Sequence, residues 1–206
     1  QHQSKMEVAV NLELKTLNVK QDITYFNTSN DTLDSIVLND WNNAFADKNT
    51  PLAKRFSDEF YRGFHLAKAV DRGKTTILSL TDTMALEWER NEKDPDFIIA
   101  KLNQKLLPGE KIDLHLTYIA KIPNDKFTHF GFDQNGGMAL KNWFISLARF
   151  ENGLFVKYNN FNLDDIANAS TNYEVNIKIP NKYSITTDLN LVSKDETSID
   201  FSTYFF

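Results

Sequence analysis

The sequence predicts a mainly β protein, an antiparallel β-sandwich or saddle with one short amphipathic helix. Three observations predict it: apolar and polar residues alternate along most of the chain, turn-forming residues separate these runs, and helical spacing occurs in one segment. About ten strands at intervals of roughly 8–12 residues are typical of this class. The chain has no internal repeat and no low-complexity linker, so we expect residues 1–206 to form a single domain.

The clearest strand signals are three long runs of period two, at residues 8–14, 112–122 and 173–179. In each run the apolar residues fall on one face of an extended chain, so one face is expected to be buried. Shorter runs predict further strands at 23–26, 33–38, 75–80, 85–89, 97–102, 143–150, 154–157, 183–187 and 198–206.

The predicted helix begins at Thr50, with Thr50 as the N-cap and Pro51 in the first helical position. The expected length is about four turns, ending before the turn at residues 71–73. Its apolar stripe consists of residues four apart, namely Leu52, Phe56, Phe60 and Phe64.

The bulk composition excludes several classes of protein. The net charge is −5 without a long basic run, so we expect no nucleic-acid partner. No apolar run approaches the roughly 18 residues of a membrane span, and the absence of Cys excludes disulfides and thiolate metal sites. Aromatic residues make up 13% of the chain and require a buried core. The chain begins at Gln1 without an initiator Met, which indicates either a processed terminus or a cut chain.

A search for catalytic and metal motifs finds none. The four His residues do not have the His-Glu-x-x-His spacing of a zinc peptidase, and both the phosphate-binding loop and the Gly-x-Ser-x-Gly elbow are missing. Three acidic pairs are expected to be solvated rather than to bind calcium or transfer protons. These pairs are Glu87 with Glu89, Asp94 with Asp96, and Asp164 with Asp165.

Four segments, in order along the chain, resemble the amino-terminal domain of aminopeptidase N-like zinc peptidases. They are the Tyr-Phe-Asn-Thr-Ser hairpin at 25–33, the Leu-Pro-Gly-Glu turn at 107–110 before a long strand, the Lys-Asn-Trp-Phe and Ala-Arg-Phe-Glu-Asn-Gly stretches within 140–153, and the strand at 173–183. Ile145 departs from the pattern, since the family often has Pro there. The family's catalytic motifs are absent, and the chain length is that of one amino-terminal domain.

The resemblance implies a non-catalytic β-saddle that packs on its own catalytic domain and forms one wall of the cleft for a peptide substrate. It also implies that zinc belongs to that catalytic domain, while this fragment holds no cofactor. In the family a loop of this domain helps to hold the free amino end of the substrate. By position this loop is 130–137, where Asp133, Gln134 and Asn135 are the candidate substrate-binding residues.

Two other functions stay open from the sequence. One is a stand-alone cell-envelope module that binds carbohydrate or peptide, which the β pattern and the surplus of aromatic residues favour. The other is a structural or docking domain of a larger envelope assembly. In each case we expect a bacterial protein that is exported to the periplasm or the cell envelope.

Overall fold

The computed structural model describes residues 1–161 and 166–206, and its largest element is a seven-stranded sheet. Its strand order, numbered along the chain, is β14-β15-β13-β1-β2-β7-β4. The alternation of polar and apolar residues is visible as alternating burial, for example in β2. The seven strands are β14 (Ser193–Asp195), β15 (Phe201–Phe205), β13 (Thr171–Pro180), β1 (His2–Asn11), β2 (Thr16–Phe26), β7 (Lys111–Lys121) and β4 (Lys74–Thr81).

A four-stranded sheet, in the order β10-β3-β6-β5, packs against the inner face of the first. Its strands are β10 (Ser146–Leu147), β3 (Leu33–Asn39), β6 (Asp94–Leu106) and β5 (Glu87–Asn91). Two small hairpins complete the strands: β8 (Gly131–Phe132) with β9 (Met138–Ala139), and β11 (Phe150–Glu151) with β12 (Leu154–Phe155). The mainly β prediction is therefore confirmed, with two sheets that share one hydrophobic core.

A buried polar network fixes the strands of the large sheet to the segment before β10. Gln21 occupies an inward position of β2, where its amide donates hydrogen bonds to Ser4 Oγ (2.9 Å) and to the carbonyl of Ile145 (2.8 Å). The hydroxyl of Tyr118 on β7 donates to Gln21 Oε1 (2.8 Å). Because buried polar groups are costly unless paired, this network favours one position for the segment that follows Trp143.

One strand pair differs from the antiparallel expectation. β1 and β13 run parallel, from His2 beside Thr171 to Ala9 beside Lys178, so the large sheet is mixed. A parallel pair needs a long connection between its strands, and here the entire four-stranded sheet lies within that connection.

The predicted helix is present but shorter than expected. α1 (Pro51–Asp58) has Thr50 as its N-cap, whose Oγ1 accepts from the amide of Ala53 (3.2 Å). It ends after about two turns, because Phe60 adopts a left-handed φ of 59°. Phe56 is buried as predicted, whereas the side chain of Phe60 is 90% exposed. Phe64 is buried too, but from a turn beyond the helix.

The prediction of a strand at 183–187 was wrong. β13 pairs with β15 instead, with Pro180 opposite Phe201. The side-chain amide of Asn181 donates to the carbonyls of Ser198 and Ile199, which ties the end of β13 to the segment just before β15. The strand predicted at 143–150 is likewise reduced to the short β10 and the first residue of β11.

Candidate functional site

The candidate loop is the turn of the hairpin formed by β8 and β9. Its strands pair Gly131 with Ala139 and Phe132 with Met138, so Asp133, Gln134 and Asn135 lie in the turn between them. The hairpin follows β7, whose end at Lys121 lies beside the start of β2 and the start of β4. We call residues 133–137 the hairpin loop.

The three candidate residues have different roles within the hairpin loop. Asp133 is half-buried, and its Oδ1 accepts hydrogen bonds from the amides of Asn135 (2.7 Å) and Gly137 (2.9 Å). One carboxylate oxygen therefore holds the loop itself, as Asp does in many turns. The side chains of Gln134 and Asn135 are exposed, and neither hydrogen-bonds to another described residue. Their amide oxygens are available to a ligand, and their binding role stays a prediction.

Aromatic contacts hold the base of the hairpin. The ring of Phe130 lies 5.4 Å from the rings of both Trp41 and Phe45, inside the core. The ammonium of Lys15 lies 3.7 Å from the centre of the Phe132 ring, and the amide of Phe132 donates to the carbonyl of Pro123 (2.9 Å). The hairpin loop is thus presented from a packed base, which reduces the entropy lost when a ligand binds.

An apolar pocket of about 230 Å³ opens beside the hairpin loop, and Gly136 and Gly137 belong to its wall. None of the described residues that line the pocket is charged. Its apolar and aromatic residues are Val10, Leu12, Met138, Leu140, Trp143, Ile177, Ile179, Tyr183 and Ile185. The sequence did not predict this pocket, because Tyr183 and Ile185 alternate with polar residues as they would in a strand. In the structure β13 pairs with β15, so the segment that carries Tyr183 and Ile185 lies outside the sheet and lines the pocket.

The four histidines lie in different parts of the fold and make different contacts. His2 stacks on Tyr25 with ring centroids 4.6 Å apart, and burial lowers its pKa. His65 Nε2 is 3.2 Å from Ser57 Oγ, and His115 Nδ1 is 2.6 Å from an Asp22 carboxylate oxygen on the outer sheet face. His129 lies in the loop before β8, with a left-handed φ of 59°.

Of the acidic pairs, Glu87 and Glu89 are exposed as expected, and Asp164 and Asp165 lie outside the described residues. The expectation of a solvated acid was wrong for Asp96, because its side chain is buried near the start of β6. Its Oδ2 accepts from the amide of Asn160 (2.7 Å). Burial, the largest effect, together with the charges of Asp94 and Asp40, raises the pKa of Asp96 to about 6, although the hydrogen bond from Asn160 acts against the rise.

The raised pKa of Asp96 predicts a stability loss as the pH increases. The folded protein binds a proton more tightly than the unfolded chain, whose Asp pKa is about 3.9. The stability that protonated Asp96 contributes is therefore fully present below about pH 4. It is lost as the pH rises from 4 to about 6, and the free energy of unfolding does not change further with this group at higher pH. Asn at position 96 does not titrate, so Asp96→Asn does not lose stability in this way. As the pH rises from 4 to 7.5, the free energy of unfolding of the variant should therefore increase by about 2–3 kcal/mol relative to that of the wild type. Urea unfolding of both proteins across this range measures the difference, and a difference that does not change with pH contradicts the assignment.

A zinc site needs at least three donor side chains close together. Within residues 1–161 and 166–206, no three His, Cys, Asp or Glu side chains come close enough to hold a metal ion. The described residues thus do not fit a zinc site, and we assign no metal-dependent step to them. In the same part of the chain no helix is long and apolar enough to cross a membrane.

Comparison with known proteins finds similarity in structure only. No protein-family model matches the sequence, and no curated protein matches it. A two-domain M1 zinc metallopeptidase mutant bound to L-arginine matches 100% of this chain with 37% of its own, at 13% identity and a TM-score of 0.51. A mutant of the M1 zinc metallopeptidase from Deinococcus radiodurans, bound to a Tyr-Ser-Ala substrate, matches 99% of this chain with 37% of its own, at 13% identity and a TM-score of 0.52.

The unmutated metallopeptidase from Deinococcus radiodurans gives the same result, with 99% of this chain matched to 37% of that chain at a TM-score of 0.51. This chain therefore spans little more than a third of the proteins that share its fold. Residues 1–206 have the fold of one part of M1 zinc metallopeptidases, which confirms, at the level of the fold, the resemblance predicted from the sequence.

Proposed function

We propose that this chain is the non-catalytic amino-terminal domain of a zinc-dependent aminopeptidase. The observation that carries the proposal is the match of almost the entire chain to only 37% of metallopeptidase structures. In this proposal residues 1–206 act as one domain, zinc and the catalytic groups belong to a separate catalytic domain, and the protein acts outside the cytoplasm.

The role of the domain in this proposal is to form one wall of the peptide cleft through the hairpin loop. Gln134 and Asn135 present free amide oxygens, which are acceptors suited to the ammonium group of a peptide. Asp133 places a carboxylate at the same turn, and its negative charge favours a cation there. Two of the metallopeptidases that share the fold were solved with an amino acid or a tripeptide, ligands that carry a free amino end.

The test compares the full-length protein with two variants. Gln134→Ala combined with Asn135→Ala is expected to raise the KM for an aminoacyl p-nitroanilide by at least about 10-fold, because a single hydrogen bond to a charged group is worth roughly 1.5–3 kcal/mol. The kcat should change little, since the interaction holds the substrate and the transition state equally. The matched control is Gln104→Ala, an exposed amide on β6 away from the hairpin.

Three results would contradict the proposal. The first is that the full-length protein contains no zinc or does not hydrolyse the substrate. The second is that Gln104→Ala raises the KM as much as the double variant does. The third is that residues 1–206 alone hydrolyse the substrate and keep this activity when a chelator is added.

Competitive inhibition tests whether the hairpin loop binds the ammonium group. A free amino acid should inhibit the double variant more weakly than the wild type. Its N-acetyl derivative should inhibit both proteins equally, because it lacks the ammonium group.

The stand-alone binding module is supported by one observation, a depression of about 440 Å³ on the outer face of the large sheet. Its rim includes the charged residues Glu7, Lys20 and Lys178, with the half-exposed ring of Phe205. Sugar-binding sites rely on exposed aromatic rings, and this depression has a single one. A glycan and peptide screen that finds binding here, together with an inactive full-length protein, would favour the alternative.

A further inference from the structure

We infer that the catalytic domain docks on a basic, apolar-tipped surface around the end of α1, and that its matching surface is acidic. We call this the α1 surface and define it by Phe60, Leu66, Lys54, Arg62 and Lys68. The inference rests on the proposed function for the existence of a catalytic domain, and adds to it which face of this domain is covered.

Two large apolar side chains protrude from the α1 surface. The side chain of Phe60 is 90% exposed and that of Leu66 is 80% exposed. Phe60 has a left-handed φ of 59°, a conformation that residues with a Cβ seldom adopt. Non-glycine residues in this region cluster at functional sites, where the surrounding structure imposes them. The turns carrying Phe60 and Leu66 are joined, since Ser57 Oγ is 3.2 Å from His65 Nε2.

The charge of this region is opposite to that of the whole chain. Residues 48–74 contain seven Lys or Arg and three Asp or Glu, although the full chain has a net charge of −5. Lys54, Arg62 and Lys68 are exposed, and none forms an ion pair with a described residue. Glu59 is neutralised by Arg55 at 2.9 Å. A partner with an acidic surface therefore fits this region best.

The α1 surface lies at the same end of the large sheet as the hairpin loop. Lys74, which starts β4, pairs with Lys121, which ends β7, so the segment before β4 and the segment after β7 meet there. The ring of Phe64 is 4.9 Å from that of Phe127, and the Tyr61 hydroxyl donates to the carbonyl of Lys126 (3.2 Å). If the hairpin loop forms one wall of the cleft, the catalytic domain must approach this end of the sheet. The α1 surface lies next to the hairpin loop at this end and would contact the same domain.

Cysteine labelling of the full-length protein tests the inference. Phe60→Cys and Leu66→Cys place thiols on the surface, and Met84→Cys is the control because Met84 is 62% exposed in the turn at the opposite end of the sheet. Each maleimide reaction rate is measured in native buffer and in urea, which supplies the rate of the unfolded chain. Native protection of roughly 100-fold is expected for Phe60→Cys and Leu66→Cys, against a few-fold for the control.

Charge reversal supplies a second measurement that does not depend on removing an apolar side chain. Adding Arg62→Glu and Lys68→Glu to Phe60→Cys should increase the native labelling rate, and more so at low salt, because acidic partner groups would then be repelled. The same reversal in Met84→Cys should leave the rate unchanged.

The possible outcomes separate the two proposals. Fast labelling at Phe60→Cys and Leu66→Cys in an active, zinc-containing enzyme overturns the docking inference alone. Strong protection in a full-length protein without zinc or hydrolysis overturns the proposed function, and shows that a non-catalytic part of the chain covers the α1 surface. Protection that appears only when anionic phospholipid vesicles are added overturns the docking and assigns the surface to a membrane instead.

Discussion

Gly131→Ala is expected to destabilise the protein by more than about 4 kcal/mol, which is exceptional for adding one methyl group. Gly131 begins the hairpin with φ of 147°. A Cβ at this position would lie 2.3 Å from the carbonyl oxygen of Pro123 and 2.5 Å from the amide nitrogen of Asp125. Both contacts are with backbone atoms, so no side-chain rotation relieves them. The base of the hairpin has to separate from the segment after β7.

The control is Gly109→Ala, in the turn before β7. Gly109 also has a positive φ, of 82°, but a Cβ there has nothing within 4 Å. Its cost should be only the left-handed backbone penalty of about 1–2 kcal/mol. Urea unfolding of both variants and hydrogen exchange of the hairpin amides provide the measurement. Equal losses in the two variants would show that strain at φ, rather than the close approach of Pro123, restricts residue 131.

Asp40→Ala is the second substitution with a large expected effect, at about 3–5 kcal/mol of lost stability. The Asp40 side chain is 1% exposed, and it accepts hydrogen bonds from the guanidinium of Arg90 and from Thr75 Oγ1, the latter at 2.7 Å. Thr75 belongs to the large sheet and Arg90 to the edge of the smaller one, so this carboxylate joins both. Its removal leaves the guanidinium of Arg90, which is 16% exposed, without an anionic partner and with only the carbonyl of Pro95 as acceptor (2.8 Å).

Glu87→Ala is the matched control, since it breaks another ion pair on the same strand, β5. Glu87 and Lys101 are 3.3 Å apart, with side chains 83% and 72% exposed. Water solvates both charges when the pair is lost, so no measurable change is expected. Chemical unfolding compares the two variants at one pH. A small effect for Asp40→Ala would mean that water reaches Arg90, and a double-mutant cycle with Arg90→Ala would then show weak coupling.

The start of α1 shows why part of the fold is predictable from sequence. Thr50 and Pro51 act through their own dihedral angles and through a hydrogen bond to a residue three positions on, so their effect is local. The end of the helix is different, because Phe60 fits the same stripe as Phe56 by spacing. The spacing does not show that the chain turns at Phe60, where φ is 59°, or that Phe64 packs against Phe56 and Phe127 instead.

The candidate site divides in the same way. The position of Asp133, Gln134 and Asn135 in a turn was predictable, since Asp, Asn and Gly favour turns wherever they cluster. Two features were not predictable: the use of one Asp133 oxygen for the loop's own amides, and the pocket beside the loop. The first depends on the hairpin closing, and the second on Tyr183 and Trp143 meeting from segments 40 residues apart in sequence.

The sequence by itself determined that this protein is mainly β and that one helix begins at Pro51. Its motif order also predicted a resemblance to zinc peptidases, which the solved M1 zinc metallopeptidases confirm at the level of the fold. Period two, capping residues and motif order are properties of neighbouring residues, and a single chain carries them. Only the tertiary structure decided that β1 and β13 run parallel, that Asp96 is buried and that Phe60 is exposed. These features depend on strand pairing and burial between residues far apart in the chain, where many arrangements satisfy the same local pattern.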